Sequence, residues 1–205
     1  MQKILIFTLA LVAVGATASA GPLLSTSAGT FAGAQVIGAG SFTLNALANV
    51  QNSTTVAHVE ISQVGRTTAG YDFYRFNTSG GTAHLDLDGP SNFIDTEIGI
   101  WNDVGTLISS NDDDGTDPGD DFTGNAGLFN LNLAAGDYVV GVAAYNSGFQ
   151  TGAPFIMGAQ LPVGGTYTLN ISQGGVAVPE PSSLAMLGAG IVLLGGVGWR
   201  RTRKA

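Results

Sequence analysis

The sequence contains no cysteine, which excludes disulfide bonds, thiolate zinc sites and cysteine nucleophiles. Charged residues are also scarce: they make up 11% of the 205 residues, against roughly a quarter in an average soluble protein. Basic residues are nearly absent from the body of the chain. Residues 21–178 hold fourteen acidic residues but only Arg66 and Arg75, which leaves a net charge of −12. This excludes nucleic acid as a partner, because phosphate binding needs clustered Lys and Arg, whereas an acidic surface suits cations.

Glycine is abundant, with 31 residues, and it supplies the positive φ angles that tight turns need. Short runs of alternating apolar and polar residues recur between such turns, and no stretch has a 3.6-residue apolar period. Strands are predicted over residues 41–50, 55–62, 71–77, 83–88, 96–101, 107–110, 127–133, 136–145, 155–160 and 166–171. This pattern predicts an all-β fold, with a single β-sandwich or jelly-roll-like domain over residues 41–175 after a flexible segment over residues 21–40.

The first twenty residues have the layout of a secretion signal. Lys3 precedes an apolar run, and Ala18 and Ala20 supply the small residues that signal peptidase requires before a cleavage site. We therefore predict a signal-peptide helix within residues 1–20 and cleavage before Gly21. A retained membrane anchor is disfavoured, because the apolar run is short and no basic residues follow it.

The C-terminal end has three parts in a fixed order. Residues 176–183 contain the motif Pro179-Glu180-Pro181, which interrupts secondary structure. Residues 184–199 are uncharged and are predicted to form a transmembrane helix of about 24 Å, short against a bilayer core of roughly 30 Å. Residues 200–205 begin with Arg200 and Arg201 and form a basic tail that stays in the cytoplasm.

This arrangement resembles the PEP-CTERM sorting signal of Gram-negative, exopolysaccharide-producing bacteria. The resemblance implies export across the inner membrane, transient anchoring in the membrane through the C-terminal helix, and processing by an exosortase that recognises the Pro-Glu-Pro segment. The mature protein would then be released, or attached to the cell surface or extracellular matrix. The alternative is an ordinary tail anchor that stays in the membrane.

A second resemblance covers residues 70–172. It is carried by the segments Tyr71–Phe76, Asp95–Trp101, Gly105–Ile108, Asn111–Asp113 and Leu133–Tyr138. These segments are similar to those of bacterial pre-peptidase C-terminal domains. The resemblance implies a jelly-roll-like sandwich, calcium binding, and an accessory or adhesive role rather than catalysis.

One acidic run stands out as a candidate metal site. Six carboxylates within ten residues repel one another, and a cation relieves that repulsion; Ca²⁺ takes six to eight oxygen ligands. The predicted calcium ligands are Asp112, Asp113, Asp114, Asp117, Asp120 and Asp121. Asp72, Asp95 and Glu97 are further candidates if the fold brings them near. The alternative interpretation is a solvated acidic turn.

Other candidate chemistry is weaker. His84, Asp86 and Asp88 alternate along one strand, which fits a metal site but is more typical of an outward sheet face. Trp101, Tyr145 and Phe149 fit a sugar-stacking platform or an ordinary core. No Gly-x-Ser-x-Gly motif occurs, and two His residues offer few bases.

The sequence therefore predicts a non-enzymatic β-sandwich protein at the cell surface or in the matrix, linked to exopolysaccharide. The first alternative is a calcium-dependent module that binds carbohydrate or matrix. The second is a secreted hydrolase.

Overall fold

Residues 21–89, 94–113 and 124–174 are described by the computed structural model of the chain. All of them belong to one compact unit, Ser19–Val178. Within the described residues a short 3-10 helix, Ala39–Ser41, accompanies twelve strands. The strands are β1 (Leu23–Leu24), β2 (Gln35–Ile37), β3 (Ala57–Val64), β4 (Asp72–Thr78), β5 (Gly81–Asp88), β6 (Thr96–Asn102), β7 (Leu107–Asn111), β8 (Gly127–Leu133), β9 (Gly136–Ala144), β10 (Ser147–Phe149), β11 (Ile156–Gly158) and β12 (Thr166–Gln173).

Ten of these strands form two packed sheets. The first sheet has the order β1-β3-β12-β5-β8, and the second has the order β2-β4-β9-β6-β7. The remaining pair, β10 and β11, forms a small antiparallel hairpin. The long strands pair antiparallel within each sheet. The all-β, β-sandwich prediction is therefore confirmed.

The main core lies between the two sheets and follows from the alternation of apolar residues along the strands. Leu85 and Leu87 of β5 face Ile98 and Ile100 of β6 across this core, together with alternate residues of β9 and β12. All four side chains are fully buried. The alternation of apolar and polar residues in these strands thus determines which side chains face the core.

A second apolar layer covers the outer face of the second sheet. Trp101 and Phe73 project there, and they pack under Phe31, Phe149 and Phe155 from the segments that cross the sheet. Because both faces of this sheet are covered, strand β6 is buried along six of its seven residues.

Residues 21–40, which the sequence predicts to be a flexible segment, contain two short strands. They contribute one edge strand to each sheet: β1 runs parallel to β3, and β2 runs parallel to β4. Ser25 supports this placement, because its backbone N–H donates to Ser62 O at 2.9 Å. Its side-chain oxygen also accepts a hydrogen bond from the Tyr74 hydroxyl at 2.7 Å.

Two predicted strands are wrong or too long. Residues 42–56 form a loop instead of a strand over residues 41–50, with a single bridge between Thr43 and His58. The Ser53 hydroxyl bonds both N–H and C=O of Leu47, and such local side-chain bonds compete with a sheet ladder. The strand predicted over residues 155–160 is reduced to Ile156–Gly158.

Phe129 of β8 is 38% exposed, although strict alternation would place it on the same face as the buried Leu133. The pairing of β8 with β5 shifts by one residue between Ala83 and Leu85, and Asn130 adopts a positive φ of 57°. A bulge of this kind moves the side chains on one side of it to the other face of the sheet. As a result Leu128 and Leu133, which lie an odd number of residues apart, are both buried.

Candidate functional site

An acidic cluster forms where the end of β7 meets the start of β6. The antiparallel register places Asn111 opposite Ile98, so the residues after β7 lie beside those that open β6. Asp112 and Asp113 follow β7 directly, Asp95 precedes β6 by one residue, and Glu97 is the second residue of β6. We call these four residues the acidic cluster.

Burial and mutual repulsion raise the pKa values of two carboxyl groups in the acidic cluster. Burial raises the pKa of the Asp95 carboxyl, and the charges of Asp113 and Asp112 raise it further. Burial also raises the pKa of Glu97, with smaller contributions from Asp112 and Asp95. One carboxylate oxygen of Asp95, Oδ1, is buried and accepts no hydrogen bond from the described residues. A cation bound here would reduce the repulsion between the carboxylates, and it would give Asp95 Oδ1 a partner.

Backbone contacts hold the cluster in place. The Glu97 carboxylate accepts hydrogen bonds from the backbone N–H of Asn146 at 3.1 Å and of Ser147 at 3.0 Å. The Asn111 side-chain amide donates to Asp113 O at 2.8 Å and to Gly127 O at 2.9 Å. The Asp113 N–H donates to the Asp112 carboxylate at 3.0 Å. The positioning role of Asn111 has no signal in the sequence, because its partner Gly127 lies sixteen residues away.

The structure places two of the six predicted calcium ligands in this cluster, Asp112 and Asp113. The other four lie outside the described residues: Asp114, Asp117, Asp120 and Asp121. Across residues 21–89, 94–113 and 124–174, no group of three or more His, Asp or Glu side chains has an arrangement that would hold a metal ion. The acidic cluster is therefore a set of neighbouring oxygen donors and not a formed coordination shell.

Asp72, the third suggested partner of the acidic run, belongs elsewhere. Its carboxylate is fully buried and pairs with the buried guanidinium of Arg66. The Tyr167 hydroxyl donates to it at 2.6 Å and the Gln63 amide at 3.1 Å. Burial and the Asp72 charge raise the pKa of Tyr74, whose hydroxyl contacts that of Tyr167. This network is structural, since its charges are matched and its donors are satisfied internally.

The three residues His84, Asp86 and Asp88 do not form an exposed face. They point away from the core between the sheets, but Asp86 and Asp88 are buried, at 5% and 4% exposure. Asp88 accepts hydrogen bonds from Asn49 of the loop 42–56 and from Asn170 of β12. His84 instead packs against the Phe129 ring, and burial lowers its pKa.

The aromatic residues suggested as a sugar platform are separated by the fold. Trp101 is fully buried, and its indole N–H donates to Gln150 O at 2.8 Å. Phe149 packs against it with ring centroids 5.7 Å apart. Tyr145 alone is exposed, at 55%. Trp101 and Phe149 thus serve the second apolar layer, and no flat aromatic surface joins the three.

The predicted processing residues lie outside the described residues. These are Ala18 and Ala20 at the signal cleavage site, and Pro179, Glu180, Pro181, Arg200 and Arg201 in the tail. None of the helices in the described part of the chain is long and apolar enough to cross a membrane.

Comparison with known proteins gives one family match, to the PEP-CTERM protein-sorting motif over residues 177–204. No curated protein matches the chain. Among solved structures, the chain is similar to the pre-peptidase C-terminal domain of collagenase from Bacillus anthracis, at 17% sequence identity. That match covers 56% of this chain and 86% of the other, with a TM-score of 0.35. It is the kind of domain that the sequence resembles, but a TM-score this low supports no inference about function.

The family match confirms the predicted sorting signal and covers its Pro-Glu-Pro segment, apolar run and basic residues. A tail of this kind implies an exported protein that an exosortase sorts to the cell surface. The chain therefore combines an all-β sandwich domain with a C-terminal PEP-CTERM protein-sorting motif.

Proposed function

We propose that the chain is a non-catalytic structural component of the bacterial surface or extracellular matrix, associated with exopolysaccharide. The single observation that carries this is the sorting motif at residues 177–204. Signal peptidase removes residues 1–20, the C-terminal helix holds the chain in the inner membrane transiently, and an exosortase then processes the tail. The β-sandwich is the part that is delivered.

The charge and packing of the delivered domain support this role. The domain carries fourteen acidic residues against two arginines. One arginine is buried with Asp72, and the other lies over the Phe31 ring. A strongly anionic surface keeps an exported domain soluble and well separated from like-charged neighbours. The domain's stability rests on two apolar layers, without cysteine.

The sorting step is tested with the full-length chain in an exosortase-containing bacterium. Fractionation and mass spectrometry of the wild-type chain should give a processed form at the surface or in the medium. The Glu180→Ala variant should accumulate as an unprocessed membrane-bound form, and so should the wild-type chain in a strain without the exosortase. Ser182→Ala, next to the motif, is the matched control and should be processed normally.

An identical distribution of the wild-type chain with and without the exosortase would contradict the sorting role. The association with exopolysaccharide is measured separately, by sedimentation of the processed protein with isolated polysaccharide. A protein that stays in the supernatant would contradict that part of the proposal alone.

A second candidate is a calcium-dependent module that binds carbohydrate or matrix. The observation that favours it is the acidic cluster, in which Asp95 and Glu97 lie near Asp112 and Asp113 and have raised pKa values. Hard carboxylate oxygens are the ligands that Ca²⁺ prefers. The exported setting also supports it, because Ca²⁺ reaches millimolar concentrations outside the cell.

The calcium candidate is tested by thermal unfolding in millimolar Ca²⁺ and again in excess chelator. A ligand at about 100 times its dissociation constant adds about 2.7 kcal/mol, which raises the midpoint of a domain of this size by about 5 to 10 °C. The double variant Asp112→Asn/Asp113→Asn should lose that shift, and Asp103→Asn, in the exposed β6–β7 turn, should keep it. A wild-type midpoint that is equal with calcium and with chelator leaves the acidic run as a solvated turn. If the midpoint does rise with calcium, calcium-dependent sedimentation with polysaccharide would identify the module as a binder.

A further inference from the structure

A groove with both polar and apolar lining residues lies beside the edge of the first sheet, where the N-terminal segment meets β3. Its lining includes Gly21 and Pro22, the polar side chains Thr43 and Asn45 from the loop 42–56, and His58 and Glu60 from β3. Gly21 is the residue at which the mature chain begins if signal peptidase cleaves after Ala20. The groove is therefore built around the future amino terminus.

The fold holds this terminus within a short reach of the groove. Leu23 is in register with Ile61, and Ser25 N–H donates to Ser62 O at 2.9 Å. Gly21 is two residues before Leu23, a span of at most about 7 Å. Pro22 restricts the chain further, because its ring fixes φ. The terminus therefore cannot move far from Glu60, which is next to Ile61.

The charges in and around the groove favour an ammonium group. Glu60 is the one carboxylate among the lining residues, and none of them is Lys or Arg. The two arginines of residues 21–178 are engaged elsewhere, Arg66 with Asp72 and Arg75 with the Phe31 ring. In the unprocessed chain the nitrogen of Gly21 is a neutral amide. Cleavage converts it to an α-ammonium at this place.

We propose that the groove is a binding site for the mature amino terminus, in which the α-ammonium of Gly21 pairs with the carboxylate of Glu60. The proposal rests on the cleavage before Gly21 stated in the proposed function. Signal removal then adds a charge pair at the edge of the first sheet, next to β1. The hydroxyl of Thr43 and the amide of Asn45 supply polar neighbours that keep the pair solvated.

The sequence allows a selective test, because residues 21–178 contain no lysine. The full-length chain is exported and processed in a bacterial host, and its N-terminal sequence is determined. Reductive methylation with ¹³C-formaldehyde then labels the α-amine without removing its charge. A Lys204 label, where the tail is retained, titrates separately near 10.4. The ¹³C methyl shift of Gly21 is followed against pH in the wild type, in Glu60→Gln and in the control Asp103→Asn.

The α-amine of the wild type should titrate above its ordinary range of 7.7–8.0, and Glu60→Gln should lower its pKa by about half a pH unit. Asp103→Asn should leave it unchanged. Equal titration in the wild type and Glu60→Gln overturns the proposal and leaves the cleavage prediction intact. A mature terminus other than Gly21 overturns both. Should Glu60→Gln not fold, nuclear Overhauser contacts from the labelled methyls to Glu60 and Thr43 decide the point, and their absence overturns the proposal.

Discussion

At the scale of single residues, Arg66 and Asp72 form an ion pair that is shielded from water on both sides. Arg66 is 5% exposed, Asp72 is fully buried, and they form the one ion pair of the described residues. Removing one partner of such a pair leaves an uncompensated buried charge. The hydrogen bonds from Tyr167 and Gln63 remain but do not replace the guanidinium.

We expect Arg66→Met to lower the free energy of unfolding by about 3 kcal/mol in urea titrations. The matched control is the other arginine: Arg75→Met removes a cation–π contact with Phe31 and should cost no more than about 1 kcal/mol. The double variant Arg66→Met/Asp72→Asn should recover part of the loss, because the orphaned charge is gone. Equal losses in the two arginine variants would contradict this account.

Gly141 in β9 illustrates a contact that sequence inspection cannot locate. A Cβ at this position would lie 2.8 Å from Trp101 Cζ3 and 2.9 Å from Ile156 Cδ1. The sequence shows only a glycine inside a predicted strand. The aromatic residue that needs the space is forty residues away, on a neighbouring strand.

Gly141→Ala should therefore destabilise the domain by about 1 to 3 kcal/mol, through overpacking of the second apolar layer. Gly148→Ala is the matched control, because a Cβ there meets nothing within 4 Å. That variant should be neutral, or stabilising by up to about 1 kcal/mol through a less flexible unfolded chain. Thermal unfolding of both variants measures the difference, and a neutral Gly141→Ala would show that the layer is loosely packed.

At the scale of elements, the alternating strands were predictable and the irregular ones were not. Strand β8 has the predicted bounds, and β4, β6, β7 and β9 differ from theirs by one residue at one end or both. Each of these five pairs with a strand of seven or more residues. Strands β1, β2 and β10 have only two or three residues, too few for a period to show. Their positions depend on contacts such as that between Ser25 and Tyr74, 49 residues apart.

The acidic cluster was partly predictable for the same reason. The composition of the run after β7 identifies Asp112 and Asp113, and Asp95 and Glu97 were suggested as partners. Only the pairing of β6 with β7 decides that these two belong to the cluster while Asp72 does not. The sequence alone does not show which carboxylates on different strands lie close together in the fold.

The acidic cluster should make the free energy of unfolding depend on pH. The pKa of Asp95 is raised in the folded state above its usual 3.8, so the folded state keeps a proton that the unfolded state has released. Stability from this group is therefore present below pH 3.8 and is lost as the pH rises through the folded pKa. Asp95→Asn should be more stable than the wild type at pH 7, and this gain should disappear toward pH 3.5.

Urea titrations at several pH values measure that gain without added calcium. Asp103→Asn, in the exposed turn after β6, is the control and should show no comparable gain at pH 7. A gain for Asp95→Asn that is the same at pH 3.5 and pH 7 would contradict the assignment to charge. If calcium binds the cluster, millimolar Ca²⁺ should reduce or reverse the advantage at pH 7.

At the scale of the whole molecule, the excess of negative over positive charge lowers the stability of the folded state. Residues 21–178 carry fourteen carboxylates and two guanidinium groups, and the guanidinium of Arg66 is matched locally by Asp72. Self-repulsion of the remaining charge disfavours the compact state. The sandwich is stable because burial between and outside its two sheets outweighs this repulsion, and the balance shifts when the solvent screens it.

We expect the thermal midpoint to rise by several degrees between 10 mM and 500 mM NaCl, because the screening length falls from about 30 Å to below 10 Å. Choline chloride should act equally at equal ionic strength, since screening does not depend on the kind of cation. Calcium chloride at a few millimolar adds little ionic strength, so a rise of similar size at that concentration would be due to binding and not to screening. A midpoint that falls with NaCl would show that attractive pairs, such as that of Gly21 with Glu60, outweigh the repulsion among the carboxylates.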